Sequence, residues 1–445
     1  MSPALIHAVV FIEGFCSLGA EVIALRRLVP HLGSAIVVTA PTIGFFLLAL
    51  ALGYAAGGKV KADFRRVVAR NFLIASALAG AGLSAPAVNG AFAHIQPIWV
   101  AYLVVVGGVL GPLAWLMGQT VPILTNEIGA RRVGEASGSA LFWSTLGSFL
   151  SALLLSLTVM QWLGVSAAVW LCSGLLGLGV LMLTPRRREW VASAVVVAGA
   201  AGINFVRPTD AVETAYADYA VKQVELPGYV SPRVFAVNGS TASILDDSDP
   251  PRTARYVAHL RQILLDDLGF TGREILVLGA GGFTLSLGET RNHYTYVDID
   301  PAIRTLAEAR FLSGPMQGEF VVDDARRFVA QTSRRFDAVV VDVFSDHHSV
   351  PSHLVTREFW QAARRALKPD GVLLANLILD GRLESPYARG VLATLEDVFG
   401  RCGVDVLHRG KPLANVVTSC YASSRPTAAS VYTDERNGAD IDRIR

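Results

Sequence analysis

The stretch ILVLGAGG (residues 275–282) decides the fold of the second half of the chain. Its apolar run predicts a buried parallel strand, and the glycines after it predict a turn where a nucleotide can approach the backbone closely. Alone, such a loop is a weak signal. The next apolar run ends at Asp298, Ile299 and Asp300. An acid about twenty residues after the glycines can reach the hydroxyls of a ribose.

Further acids follow two more predicted strands. Asp323, Asp324 and Ala325 come after the run at 320–322, and Asp342 follows the run at 338–341. The carboxyl ends of parallel strands meet at one edge of a sheet, where α/β folds bind ligands. Asp324 also stands where a helix would begin, so an N-cap is the competing interpretation of this residue. The set of acids together favours a ligand site over capping alone.

The surrounding pattern predicts an α/β Rossmann-like domain over residues 207–425, followed by a flexible polar tail at 426–445. A small β-rich entry precedes the alternating strands and helices, and a closing antiparallel hairpin is predicted around a turn near Lys411. Cys402 and Cys420 lie equally far from that turn. They could form a disulfide in an oxidising compartment, or remain two free thiols in a reducing cytoplasm.

The first 206 residues are far more apolar than the rest. Over the whole chain 52% of residues are hydrophobic and 17% charged, against about 25% charged in soluble domains. Since a helix of roughly 20 apolar residues crosses a bilayer, this half predicts a multi-pass helical membrane bundle in a bacterial inner membrane. The seven predicted spans are at about 4–28, 34–57, 71–93, 98–122, 138–162, 164–184 and 189–206, the last being the weakest.

The sequence does not decide on which side of the membrane the second half of the chain lies. Loops after even-numbered spans carry ten Lys and Arg, and those after odd-numbered spans carry two, which predicts a cytoplasmic N-terminus. Seven spans would then put the α/β domain outside the cytoplasm, and six would put it inside. A cytoplasmic nucleoside substrate favours the inside.

The glycine loop, the acids and the entry at 237–241 together resemble the spermidine synthase family of aminopropyltransferases, including members fused to a membrane bundle. The resemblance implies a class I methyltransferase-type Rossmann fold and S-adenosylmethionine, or its decarboxylated form, as substrate. It implies that Gly279, Ala280 and Gly281 face the nucleoside, and that Asp298 with Ile299 holds the ribose. It further implies that Asp324 with Ala325 holds the adenine, that Asp342 is the base, and that Tyr256 contacts substrate.

The chain departs from that family on the side of the amine acceptor. Gly282 stands where the family has an acid, and the acid after the base, Asp346, comes four residues later instead of three. His347 and His348 follow on the same loop, and near neutral pH a histidine can act as acid or base. A solvated loop explains these histidines equally well, and their spacing does not favour a metal site.

The preferred hypothesis is an enzyme that cleaves the sulfonium–alkyl bond, releases methylthioadenosine and transfers an aminopropyl-type group to an amine such as a polyamine. An intramolecular S-adenosylmethionine cyclase or lyase needs no external amine and is the first alternative. A transporter or sensor that binds the nucleoside without turnover is the second. A net charge of +2 gives no reason to expect a nucleic-acid partner. The lipid bilayer is an expected partner, and a homo-oligomer is open.

Overall fold

The chain divides into two compact units in the computed structural model, which describes residues 2–32, 36–128, 133–205, 211–214, 216–343, 351–424, 431–435, 437, 439 and 442. Unit 1 comprises Met1–Thr209 and Glu213–Ala215, and unit 2 comprises Asp210–Val212 and Tyr216–Arg445.

Unit 1 is helical. In chain order its helices are α1 (Pro3–Leu32), α2 (Ile36–Gly57), α3 (Phe64–Ala77), α4 (Ala85–His94), α5 (Ile98–Val105), α6 (Gly111–Gly118), α7 (Thr120–Ile128), α8 (Val133–Leu154), α9 (Met160–Leu163), α10 (Val165–Leu183) and α11 (Arg187–Phe205).

Seven membrane spans are predicted, but fewer helices of unit 1 are long and apolar enough to cross a membrane among the described residues. Among the described residues five qualify by length and composition, and a bent pair, Phe64–Gly82 with Ala85–His94, would make a sixth. The seventh predicted stretch forms helix α11, which is not among them. The amide of Asn204 in α11 donates a 2.7 Å hydrogen bond to the carbonyl oxygen of Gly80, so α11 packs within unit 1.

Glycines allow α1 and α8 to pack backbone against backbone. A Cβ on Gly14 would lie 1.9 Å from the carbonyl oxygen of Ser144, and one on Gly147 would lie 2.3 Å from that of Phe11. Such close approach at small residues is typical of helices that pack in a bilayer. Ser144 Oγ also donates a 2.8 Å hydrogen bond to Glu13, which places this carboxylate inside the helix contact.

Unit 2 contains two sheets. The strands are β1 (Ala211–Glu213), whose last residue belongs to unit 1, β2 (Asp218–Gln223), β3 (Arg233–Val237), β4 (Ser240–Leu245), β5 (Glu274–Leu278), β6 (His293–Asp298), β7 (Glu319–Val322), β8 (Phe336–Val341), β9 (Leu367–Leu379), β10 (Gly403–Val406) and β11 (Ala414–Tyr421). Its helices are α12 (Arg255–Arg261), α13 (Ala302–Leu306), α14 (Ala325–Gln331), α15 (Arg357–Ala366) and α16 (Pro386–Phe399). The smaller sheet has the order β1-β2-β3-β4 and forms the predicted β-rich entry.

The larger sheet has the order β10-β11-β9-β8-β5-β6-β7, with β5 to β9 parallel and β10 and β11 antiparallel. Alternate residues of its central strands face opposite cores. For example, Leu276 packs with α15 and α16, whereas Val277 packs with α12 and α13. Both faces are therefore covered by helices, and the predicted doubly wound Rossmann-like fold is confirmed.

This strand order fixes where a ligand can bind. The chain runs outward from β5 through β6 to β7, then returns to add β8 on the other side of β5. The gap between β5 and β8 is thus the topological switch point, where open α/β sheets form their binding crevice. The glycine loop follows β5, and Asp342 follows β8.

The C-terminal segment is held in two ways. Gly403 pairs with Ser419 across β10 and β11, so Cys402 and Cys420 are opposite one another and form a disulfide, with their Cα atoms 4.6 Å apart. Beyond β11, Tyr432 is buried, and its carbonyl oxygen accepts a hydrogen bond from the Arg357 amide. The prediction of a flexible tail is wrong for Tyr432, because its apolar ring packs into the core beside α15 and α16.

Candidate active site

The glycine loop lies against the backbone of the Asp342 segment. Gly279 has φ of 89°, and a Cβ there would lie 2.2 Å from the carbonyl oxygen of Asp342. Both the left-handed conformation and the missing side chain are therefore required at this position. The loop that follows β5 and the residue that ends β8 consequently share one wall of the crevice.

Asp298 joins the glycine loop to the end of β6. One carboxylate oxygen accepts a 2.9 Å hydrogen bond from the Ala280 amide, and the other accepts a 3.0 Å bond from the Asp300 amide. Burial raises the pKa of Asp298 from its usual value, and these amide donors oppose that rise. The next residue, Ile299, leaves 45% of its apolar side chain exposed. Acid and apolar surface are thus adjacent, as a ribose joined to a base requires.

Asp324 caps α14. Its carboxylate accepts a 2.8 Å hydrogen bond from the Arg327 amide, and Ala325 is the first residue of the helix. The capping interpretation of Asp324 is therefore correct for one of its oxygens. Val322, two residues earlier, exposes 51% of its side chain at the same edge. Asp323 links this strand end to β6 through a hydrogen bond from its amide to the carbonyl oxygen of Asp298.

Asp342 is held by side chains instead of backbone amides. Asn376 Nδ2 lies 2.8 Å from one carboxylate oxygen, and the Tyr256 hydroxyl lies 3.0 Å from the other. Burial raises the pKa of Asp342 from 3.8 to about 6, and both hydrogen bonds oppose that rise. A carboxyl group of this kind exchanges its proton near neutral pH, as a general base must.

Tyr256 connects Asp342 to the smaller sheet. Its hydroxyl lies 2.8 Å from the carbonyl oxygen of Ala242 as well as 3.0 Å from Asp342. A hydroxyl has one proton to donate, so Tyr256 donates to Ala242 or to Asp342 at any one time, and donation to Asp342 stabilises its ionised form. Burial and the charge of Asp342 raise the pKa of Tyr256 well above its usual value, so the tyrosine stays protonated.

Asn376 is itself oriented by a second amide. It is fully buried on β9, and its Oδ1 accepts a 3.0 Å hydrogen bond from Nδ2 of Asn415 on β11. Neither asparagine is predicted as a site residue. Asn376 could have been recognised in the sequence as a polar residue within the apolar run of a buried strand, because a buried polar group needs hydrogen-bonding partners.

The space beside Gly282 is filled. A Cβ at this position would lie 2.3 Å from the Phe311 ring and 2.9 Å from Cβ of Ser243. The amide of Gly282 donates a 2.9 Å hydrogen bond to Ser243 Oγ. This position therefore cannot hold an acidic side chain unless Phe311 moves.

The crevice contains most, but not all, of the predicted site residues. Gly279, Ala280 and Gly281 follow β5, Asp298 and Ile299 lie at the end of β6, Asp324 and Ala325 follow β7, and Tyr256 lies against Asp342. The predicted residues Asp346, His347 and His348 lie outside the described residues. In the part of the chain that the structure describes, no group of three or more His, Cys, Asp or Glu side chains is arranged to hold a metal ion.

Comparison with known proteins supports both the fold and the resemblance. Residues 276–371 match the family described as "Methyltransferase domain". A polyamine aminopropyltransferase of Vibrio vulnificus is 29% identical over 174 residues, which are 37% of this chain and 56% of that protein. Polyamine aminopropyltransferase 1 of Streptomyces coelicolor is 26% identical over 404 residues, which are 82% of this chain and 74% of that protein.

Solved structures of spermidine synthases are also similar to this chain. A probable spermidine synthase from Corynebacterium glutamicum has 20% identity and a TM-score of 0.41, covering 48% of this chain and 81% of its own. Spermidine synthase from Thermotoga maritima has 17% identity and a TM-score of 0.37, covering 52% of this chain and 83% of its own.

The curated relatives confirm the resemblance to the spermidine synthase family at the level of homologues. Curated relatives of this chain are polyamine aminopropyltransferases, which form a class of alkyl-transferring enzymes. The chain spans little more than half, 56%, of the length of the Vibrio relative.

Proposed function

We propose that this chain is a membrane-integrated, spermidine-synthase-like enzyme that acts on S-adenosylmethionine or its decarboxylated form. It cleaves the sulfonium–alkyl bond, releases methylthioadenosine and transfers an aminopropyl-type group to an amine. The proposal combines the similarity to polyamine aminopropyltransferases with the chemistry available at the switch point of the sheet.

The observation that carries this proposal is Asp342, a carboxyl group whose pKa burial raises to about 6 beside the glycine loop. In the reaction the lone pair of an amine forms a bond to the carbon next to the sulfonium. The C–S bond breaks and its electrons go to sulfur, which leaves as a neutral thioether. As the new C–N bond forms, the amine loses a proton to Asp342. Because a sulfonium is already a good leaving group, alignment and proton removal are what the protein must supply.

The nucleoside would bind along the ends of β5, β6 and β7. Asp298 has its two oxygens directed by backbone amides, and its remaining lone pairs can accept bonds from ribose hydroxyls. The exposed side chains of Ile299 and Val322 offer apolar surface to a purine. Asp324 can accept a bond from an adenine amino group with the oxygen that does not cap α14.

A specific observation favours the cyclase or lyase alternative. Phe311 and Ser243 occupy the space beside Gly282 where the resemblance implies an acid that clamps the amine acceptor. A site without that anchor suits a nucleophile that is part of the nucleoside substrate itself. In that reaction an amine or carboxylate of S-adenosylmethionine attacks its own chain, and methylthioadenosine is again the leaving group.

One product assay tests the enzymatic proposals together. The purified full-length protein is incubated with decarboxylated S-adenosylmethionine and putrescine, and separately with S-adenosylmethionine alone. Methylthioadenosine with an alkylated amine supports transfer, and methylthioadenosine without an amine acceptor supports the cyclase or lyase. S-adenosylhomocysteine would instead indicate methyl transfer and contradict the proposal. Nucleoside binding without any product would favour the transporter or sensor alternative.

Membrane integration is supported by the helices of unit 1. Several large apolar side chains on these helices are more than half exposed, among them Leu48, Phe142, Leu157 and Trp162, and exposed apolar surface of this extent fits a lipid environment. After lysis and alkaline carbonate washing, the protein should remain in the membrane pellet. Its release into the supernatant would contradict this part of the proposal.

The location of unit 2 has arguments on both sides. The Cys402–Cys420 disulfide favours an oxidising compartment, and the loop charges favour it only if the number of spans is odd, whereas supply of the nucleoside favours the cytoplasm. A membrane-impermeant maleimide on intact cells separates the two. Labelling that requires prior treatment with an impermeant reductant places unit 2 outside. Labelling without reductant, and only after lysis, places it inside, and Cys402→Ser/Cys420→Ser is the control.

A further inference from the structure

We propose that Asn415 is a positioning residue that keeps Asp342 able to accept a proton by fixing the orientation of the Asn376 amide. This inference rests on the proposed function, since it concerns the proton that the reaction releases. Asn415 contacts Asn376, and Asn376 contacts Asp342. The effect would therefore pass from β11 through β9 to β8.

The sheet register brings the two asparagines together. β9 and β11 are antiparallel neighbours in which Asn376 pairs with Val417. Asn415 lies two residues from Val417, so its side chain shares a face of the sheet with that of Asn376. Residues in this diagonal relation are within reach of one another, and Asn415 Nδ2 lies 3.0 Å from Asn376 Oδ1.

The Asn376 amide has two orientations of similar shape but opposite hydrogen bonding. In the observed one, Nδ2 donates a 2.8 Å bond to Asp342. In the reverse one, the carbonyl oxygen of Asn376 would lie against a carboxylate oxygen, so two acceptors would repel each other. The donor supplied by Asn415 meets Oδ1 and favours the observed orientation. Asn376 then stabilises the ionised form of Asp342, which is the form that accepts a proton.

Substitutions at 415 can separate this role from a merely structural one. Asn415→Ala removes the donor, and Asn415→Asp replaces it with an acceptor that attracts the NH2 group of Asn376. Asn415→Gln retains an amide donor. Thr418→Val is a matched control, because Thr418 is buried on the same strand and its hydroxyl has no hydrogen-bond partner among the described residues.

The informative measurement is the pH dependence of kcat/KM for methylthioadenosine release. In Asn415→Ala the acidic limb should move to higher pH by on the order of one unit, the effect of losing a hydrogen bond to a charged group. Asn415→Asp should move it further, whereas Asn415→Gln and Thr418→Val should leave it near the wild-type position. At high pH the activity of Asn415→Ala should return to near the wild-type value.

Two results would overturn the inference. One is an equal loss of activity at every pH with an unmoved limb, which indicates structural damage. The other is no change in Asn415→Ala at any pH. If the wild-type protein releases no methylthioadenosine, the proposed function fails, but the positioning role can still be tested. An infrared titration of the Asp342 carboxyl, identified by its loss in Asp342→Asn, should then show a higher midpoint in Asn415→Ala. An unchanged midpoint would reject the role.

Discussion

The two sides of the crevice hold their carboxylates by different means. At the ends of β6 and β7, where we propose that the nucleoside binds, Asp298 and Asp324 accept hydrogen bonds from backbone amides. On the other side, Asp342 is held only by the side chains of Tyr256 and Asn376 in its described contacts. Backbone amides are fixed by the fold and suit a binding surface. The side-chain partners of Asp342 leave its pKa raised to about 6, so under the proposed function this difference separates nucleoside binding from proton transfer.

Asp342→Asn should break the chemical side most completely. The asparagine oxygen can accept from Asn376 while its NH2 donates to Tyr256, so the fold is preserved without a base. We expect methylthioadenosine release to fall by about 10² to 10⁴-fold, with nucleoside affinity retained in calorimetry. Asp323→Asn, at the same edge, is the control. Full activity in Asp342→Asn would remove Asp342 from the chemistry.

Asp342→Asn should lower activity but raise the stability of the folded protein. The pKa of Asp342 is raised on folding, so its protonated form is favoured, and stability is lost as the pH rises through about 6. Asp342→Asn should therefore unfold at a higher temperature than the wild type at pH 8, with a smaller difference at pH 4. An equal shift at both pH values would contradict the raised pKa.

Asp298→Ala should weaken the binding side. The substitution removes a charged acceptor for the ribose hydroxyls and also the hydrogen bond from the Ala280 amide. The dissociation constant for methylthioadenosine should therefore rise by about 10 to 100-fold. The pH at which kcat reaches half its maximum should not change. Calorimetry measures the affinity, and the pH profile of kcat shows whether proton transfer has changed. A shifted pH profile with unchanged affinity would mean that Asp298 acts in proton transfer and not in binding.

The pH profile of the wild-type enzyme tests the chemical side without any substitution. Because the ionised form of Asp342 accepts the proton, kcat/KM should rise with pH and reach half its maximum near pH 6. Below that pH the rate should fall about tenfold for each pH unit. A half-maximum near pH 4 would mean that the burial of Asp342 does not control the reaction.

Asp324 offers the smallest expected effect. Asp324→Ala removes the N-cap of α14 and should cost about 1 kcal/mol of stability, measured by denaturant unfolding. Asp324→Ser keeps a capping oxygen and should restore most of that stability. Any loss of nucleoside affinity common to both variants would then report the adenine contact alone.

The backbone of unit 2 could be predicted well because its signals are local. Apolar runs gave the strands, and the acids at their ends gave one edge of the crevice. The Asn415–Asn376–Asp342 connection could not be predicted, because it depends on the pairing of β9 with β11 and on side-chain direction. The N-cap at Asp324, the competing interpretation of this residue, could be predicted because a capping acid directly precedes its helix, and it is confirmed; the contact of Asp324 with adenine stays a prediction. The spans of unit 1 were predicted from apolar length, which overstates the seventh stretch.

Phe311 has a consequence for how such a site can change over time. A single mutation of Gly282 to an acid would collide with the Phe311 ring, which a Cβ would meet at 2.3 Å. Acquiring that acid therefore requires Phe311 to move or to be replaced by a smaller residue, and such a replacement alone would leave a cavity. Because Phe311 is fully buried, a substitution at 282 is coupled to the packing around 311, and we expect the two positions to change together.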